Sequence, residues 1–184
     1  MERCGWVGQD QIYIDYHDNE WGVPVYDSRL LFQHLLLDGA QAGLSWITIL
    51  KKRENYRAAF NHFDPVEMAE LSDQQLEQHL LNPGIVRNRL KVFGFRKNAR
   101  AYLKIEEKQP FGEFLWQFVD GRPVINQWRA MSELPTSTAQ SDAMSKSLKK
   151  AGFTFVGTTI CYAFMQAVGM VNDHTTNCFR YGQK

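Results

Sequence analysis

No stretch of this chain stays apolar for long. Its longest apolar segments, residues 30–37 and 160–165, are interrupted or far shorter than the ~20 residues a membrane-spanning helix needs. Cysteine is scarce: Cys4, Cys161 and Cys178 are an odd number without close spacing, which argues against a secreted disulfide framework. Charge of one sign is missing too. The formal net charge is +1, so any affinity for nucleic acid must come from local patches. The opening Met-Glu-Arg-Cys-Gly-Trp lacks the basic-then-apolar order of a secretion signal. Repeats and low-complexity tracts are absent. The expectation is a cytoplasmic protein without a membrane partner, its 184 residues forming a single domain with a proper core.

What is present is helical punctuation. Residues 1–27 read as irregular and are dense in rings. From there Ser28 can cap a helix whose apolar face includes Leu31 and Leu35. The stretch Leu37-Asp38-Gly39-Ala40-Gln41-Ala42-Gly43-Leu44-Ser45-Trp46 reads as a helix end, a tight loop and a new helix start. Asp64-Pro65 is an N-cap followed by proline at the first helical position, and Ser72 caps a helix over 75–81. Asn82-Pro83-Gly84 then breaks the chain before a long helix over 86–105. Further helices fit 111–119, 141–151 and 157–168, the last apolar nearly all round and so central. Residues 120–138, with prolines at 123 and 135, form a long connection. No run of alternating strands is convincing, so the predicted fold is all-α.

Three constellations can carry chemistry. The hairpin around Pro83 and Gly84 offers a backbone able to approach a phosphate. Arg89, Arg96 and Arg100 then fall on one stripe of the following helix, with Lys97 beside them. This is either a non-specific grip on a DNA backbone or an ordinary solvated basic face. Secondly, Cys4 and His17 near one end of the chain, and His174 and Cys178 near the other, can make a closed tetrahedral zinc set; otherwise they are four unrelated residues. Cys161 belongs to the core. Thirdly, Trp6, Tyr13, Tyr16, Trp21 and Trp46 supply stacking surfaces, and Asp38 supplies an edge acceptor, as a nucleobase requires. Core packing competes for the same rings. His34, His62 and His79 read as structural or surface groups.

Taken together, the residues resemble the 3-methyladenine DNA glycosylase I family of the helix-hairpin-helix superfamily. The similarity runs through Arg3-Cys4-Gly5-Trp6, Tyr16-His17-Asp18-Asn19-Glu20-Trp21-Gly22 and Gln41-Ala42-Gly43-Leu44-Ser45-Trp46-Ile47-Thr48. It continues in Lys51-Lys52-Arg53-Glu54-Asn55-Tyr56, Pro135-Thr136-Ser137-Thr138, Phe155-Val156-Gly157-Thr158-Thr159-Ile160-Cys161-Tyr162 and Val171-Asn172-Asp173-His174.

The resemblance implies a base-excision repair enzyme that hydrolyses the N-glycosidic bond of 3-methyladenine in alkylated double-stranded DNA and releases the free base. It implies one structural zinc joining the chain ends through Cys4, His17, His174 and Cys178, and a helix-hairpin-helix element near 73–105. The base pocket would comprise Trp6, Tyr13, Tyr16, Trp21 and Trp46 with the acid at position 38. Tyr16 and Asp38 would bond the base edge while Trp46 stacks on it. Gly43 and Leu44 would enter the gap left in the duplex. Pro83, Gly84, Arg89, Arg96 and Lys97 would hold the backbone. The family carries glutamate where this chain has Asp38. The acceptor survives one methylene shorter, leaving its reach to a bridging water or a backbone shift. The hairpin holds no lysine, so a monofunctional enzyme is expected; a monomer is expected as well. The competing reading is a non-catalytic, zinc-stapled module that recognises damaged or bent DNA; a third is a small-molecule binder.

Overall fold

The computed structural model describes residues 1–183. Nine α-helices carry the described residues: α1 (Gln11–Asn19), α2 (Ser28–Gln41), α3 (Trp46–Ala59), α4 (Pro65–Glu70), α5 (Asp73–His79), α6 (Arg89–Glu106), α7 (Phe111–Trp116), α8 (Ala139–Ala151) and α9 (Thr158–Ala167). The extended structure among them is one two-stranded parallel pairing, β1 (Val124–Ile125) against β2 (Val171–Asn172). The helical class expected from the sequence therefore holds, and no described helix is long and apolar enough to cross a membrane.

Side-chain caps fix most helix starts. Asp64 accepts from Val66 and Glu67 ahead of Pro65, and Ser72 and Gln75 form a reciprocal capping box. Asn88 caps α6 by accepting from Lys91 N, and Thr138 pairs with Ser141 at the start of α8. Between α5 and α6 the Asn82 side chain accepts from Gly84 N at 2.8 Å, closing the turn on itself. A Cβ at Gly84 would lie 2.9 Å from that same oxygen and 3.0 Å from Asn55, so a larger residue would push the Asn82 side chain out of the turn it closes.

Three expectations need correction. Asp27, not Ser28, caps α2, its side chain accepting from Leu30 N at 2.8 Å. Residues 11–19 are helical, not irregular: Asp10 caps α1 by accepting from Ile12 N, and the rings disguise a weakly amphipathic helix. The helix carrying Asp38 does not end there but runs through Gln41, so the loop is residues 42–45. Gly39 sits inside that helix because a larger residue would press on Phe155, 3.2 Å away.

Packing divides into two clusters. The large one gathers α2, α4, α6, α7, α8 and α9 around Phe32, Leu35, Phe60, Phe111, Met144 and Phe164. The smaller one joins the chain ends through Cys4, Val7, Tyr16, Trp21, Leu50, Ala167 and Cys178. Trp46 packs against both, at the seam. Two ion pairs stitch α1 across α3: Lys51 to Asp10 at 2.6 Å and Arg53 to Glu20 at 2.5 Å. The chain leaving α1 crosses the end of α9, where Gly22 N donates to Gln166 O and Val25 N to Val168 O. Gly169 permits this crossing. Its φ is +68°, and a Cβ there would lie 2.5 Å from the backbone of Val23 and Pro24.

Gly169→Ala is therefore expected to cost more than ~2 kcal/mol, combining backbone strain with collision. Gly8→Ala, at a similar φ of +66° but in open space, should cost only ~1 kcal/mol. Chemical denaturation of both variants measures the difference.

Candidate functional site

A cavity of about 200 Å³ opens at the seam between the two clusters. The chain-end segment contributes Trp6, α1 contributes Tyr13 and Tyr16, and Trp21 follows α1; Asp38 and Gln41 come from the last turns of α2, and Trp46 begins α3. All five aromatics and the acid singled out from sequence thus meet in one place. Trp6 stands edge-on to Tyr13 at 5.0 Å between ring centroids and to Trp21 at 5.1 Å. Tyr16 and Trp46 lie 5.4 Å apart with their planes tilted by 48°. Such pairs hold each other's orientation and leave free faces toward the cavity.

Asp38 is the chemical centre. It is 2 % exposed, and its Oδ2 is buried without a hydrogen-bond partner. Burial pushes its carboxyl well above the usual carboxylate range. The Trp46 indole Nε1 is likewise buried and unpartnered. An unmatched acceptor and an unmatched donor in one polar-edged aromatic pocket are costly unless a ligand satisfies them. Such a pocket favours a flat ligand with hydrogen-bonding edges. A cationic one gains further, because its charge restores the ionised carboxylate.

The sequence reading missed part of the lining. Met131 and Leu134 come from the long connection, and Ala163, Gln166 and Ala167 from α9. The connection is held in place by Asp173, whose Oδ1 accepts from Asn126 and Trp128 and whose Oδ2 accepts from Tyr162 and Gln166. No local signal in the sequence marks residues 128–134 as turned inward.

Directly behind the aromatic wall, Cys4, His17, His174 and Cys178 converge, with donor atoms within 4.8 Å of one another and all four residues buried. His17 donates from Nδ1 to Asp18 at 2.8 Å, leaving Nε2 facing Cys178 Sγ at 3.4 Å. Asp18 is itself clamped by Arg3, whose hydrogen bond holds that carboxyl down at about 2. His174 donates from Nε2 to Trp21 O at 3.2 Å, which turns Nδ1 toward both sulfurs at 3.5 Å. Inner nitrogens free to ligate and outer ones fixed by oxygen acceptors are the arrangement a metal ion requires. Burial pushes the Cys4 thiol up to about 11 and His174 down to about 4, so a cation would have to displace the thiol protons. The donor set fits a tetrahedral metal.

The third predicted constellation is dispersed. Gly43, at φ +78°, and Leu44, 41 % exposed, form the tip of loop 42–45. At the α5–α6 turn, Lys52 Nζ donates to Pro83 O at 2.9 Å and Val86 N donates to the Tyr56 hydroxyl at 3.1 Å. Arg89 pairs with Glu77 and lies 4.3 Å over the Phe93 ring. Arg96 donates to Leu71 O and Asp73, and Arg100 to Ala69 O, so these guanidiniums tie α6 to the α4–α5 corner. Among the described residues, Lys97 and Arg87 make no ion pair; Arg87 falls within the expected helix 86–105 but off the stripe of Arg89, Arg96 and Arg100, and in the structure it precedes α6.

A family model described as methyladenine glycosylase matches residues 6–181. The chain is 58 % identical to DNA-3-methyladenine glycosylase 1 of Escherichia coli strain K12 over 98 % of its own length and 97 % of that protein's. It is similar to a crystal structure of 3-methyladenine DNA glycosylase I at 57 % identity and a TM-score of 0.97, covering 98 % of this chain and 100 % of that one. The Staphylococcus aureus enzyme, solved to show how it recognises 3-methyladenine, matches at 37 % identity and a TM-score of 0.96, covering 100 % of this chain and 98 % of that one.

The Asp38 carboxyl is held above its unfolded pKa, so the native state keeps a proton that the unfolded chain has lost. Its burial consequently destabilises the fold increasingly as pH rises from the unfolded value through the raised native one. Asp38→Asn is expected to raise the thermal midpoint near neutral pH and to leave it little changed near pH ~3, where both states are protonated. Calorimetry at the two pH values checks the sign.

Proposed function

Because the chain belongs to the methyladenine glycosylase family, we propose that it excises 3-methyladenine from alkylated double-stranded DNA as a monofunctional hydrolase of base-excision repair. The observation that carries this reading is the unpartnered Asp38 carboxylate inside the aromatic cavity. Methylation at N3 makes the adenine cationic, so it is already a good leaving group. The pocket has only to receive it once it is extruded from the stack. Trp46 stacks on the ring, and Tyr16 and Asp38 bond its edge, with Trp6, Tyr13 and Trp21 forming the remaining walls. A cation over an electron-rich indole is favoured over neutral adenine. The C1′–N bond breaks with its electron pair passing to the base, which leaves as neutral 3-methyladenine. Water adds to C1′ and releases its proton to solvent. Asp38 acts on the charge that develops on the sugar, as well as on the base.

Leu44 and Gly43 enter the space vacated in the duplex. Residues 73–105 act as a helix-hairpin-helix element whose Pro83, Gly84, Arg89 and Lys97 face the backbone. Arg96, already bonded to Leu71 and Asp73, supports that element more than it reaches outward. Cys4, His17, His174 and Cys178 hold one zinc ion, which closes the site without an open position and supplies rigidity, not chemistry. We further read the protein as a cytoplasmic monomer organised as one domain with tethered ends.

Purified protein should release 3-methyladenine, and not neutral 8-oxoguanine, from treated duplex DNA without nicking the strand; nicking coupled to release would contradict the monofunctional reading. Asp38→Asn should reduce single-turnover excision by ~10–100-fold, the value of a lost charged hydrogen bond. In the parent enzyme the rate should fall as pH drops through the raised Asp38 pKa, and this acid limb should vanish in Asp38→Asn. Unchanged excision in both Asp38→Asn and Trp46→Ala, with DNA binding also unaffected, would overturn the pocket assignment; DNA binding with no excision by the parent protein would favour the non-catalytic module. Metal analysis should find roughly one zinc per chain, lost in Cys178→Ser together with thermal stability.

A further inference from the structure

Lysine is rarely buried, yet Lys91, in the first turn of α6, is only 7 % exposed. Its Nζ donates to Ala40 O at 2.8 Å and to Ala42 O at 2.6 Å. Those carbonyls lie at the C-terminal end of α2, where the helix leaves acceptors without internal partners and where its dipole is negative. Burial lowers the Lys91 pKa. The two bonds give the cation a reason to stay.

Lys91 does not line the aromatic cavity. What it holds is the upstream stem of loop 42–45, the loop that displays Leu44. The downstream stem is α3, and α3 is bonded to the α5–α6 turn by Lys52 Nζ to Pro83 O and by Val86 N to the Tyr56 hydroxyl. The Lys91 amide in turn donates to the Asn88 cap at the end of the same turn. Both stems of the exposed loop are thus fastened to one hairpin element, and Lys91 is the fastening on the upstream side.

We propose that Lys91 is a positioning residue that braces loop 42–45 against α6, so that Leu44 is driven into the DNA stack instead of recoiling when the hairpin engages the backbone. This rests on the reading of Gly43 and Leu44 as the group that enters the duplex. Wedging an apolar side chain between base steps works against the stacking of the duplex, and a loop free to yield would return that energy as its own displacement. A shift of about 1 Å in such a support can cost about a hundredfold in rate. Lys91 itself does not line the base pocket, while its acceptors Ala40 and Ala42 flank the lining residue Gln41, so the test must separate loop bracing from pocket support.

The test compares single-turnover excision from two substrates, 3-methyladenine paired in intact duplex and the same lesion facing an abasic gap, where extrusion meets little resistance. Lys91→Met keeps the stem and removes both hydrogen bonds. It should slow excision from intact duplex by ~10–100-fold while changing the gapped substrate less than threefold, and Lys91→Arg, which restores a donating cation, should recover most of the loss. Equal losses on both substrates would mean a merely structural lysine and overturn the proposal, as would no loss on either or no rescue by arginine. Leu44→Ala is the companion variant. If it lacks the duplex-specific loss, the reading of the loop itself fails; if it shows that loss and Lys91→Met does not, only the role of Lys91 falls.

Discussion

Everything at the pocket depends on the joining of the two chain ends at Cys4, His17, His174 and Cys178. His17 sits on α1 beside Tyr16, so the helix that sends an imidazole into the cluster sends its tyrosines the other way, into the cavity. Trp6 follows Cys4 by two residues, and Trp21 offers its carbonyl to His174. Four of the five aromatic walls are therefore placed by the same anchoring. The helical body supplies the remaining ring, Trp46, and the acid. A short aromatic segment with little apolar area of its own could not hold this geometry by packing alone.

The pocket opposes stability to function. Asp38 could have been satisfied by a neighbouring donor, and the buried Trp46 indole by an acceptor; neither is. Leaving both open keeps the native state poorer in hydrogen bonds than it could be and makes the site ready for a ligand that matches them. The contrast with Asp173 is instructive. That carboxylate is as deeply buried but accepts from four side chains, and it serves only to fasten the long connection and β2 to α9.

The sequence made the helical frame legible wherever a cap or a breaker marked it. Asp64-Pro65, Ser72 and Asn82-Pro83-Gly84 sit where the chain turns, because capping and proline geometry are local effects that tertiary packing rarely overrides. Asp38 and the five aromatics were found by residue chemistry, and the Cys/His set by its donors and the resemblance. The failures were of three kinds. Helix α1 was hidden because its rings face two different neighbours, which erases the periodicity used to find helices. The basic stripe of α6 was over-read because spacing places charges on one face without saying what that face meets. Arg96 and Arg100 meet backbone carbonyls of the α4–α5 corner. Met131 and Leu134 reach the cavity through the Asp173 network, a long-range fact with no local signature.

The anchoring of the ends also sets an order of assembly. Cys4 and His174 are separated by 170 residues, whereas most helix–helix packing in the body joins near neighbours in sequence. Contacts closing so long a loop carry the largest entropic cost and form late. A chain can thus hold a finished helical body, with Asp38 and Trp46 already in position, while lacking the opposite wall of the pocket. Competence for damaged bases would then be governed by the final closure of the Cys/His cluster, a step sensitive to thiol oxidation and nearly invisible to any probe of overall helicity.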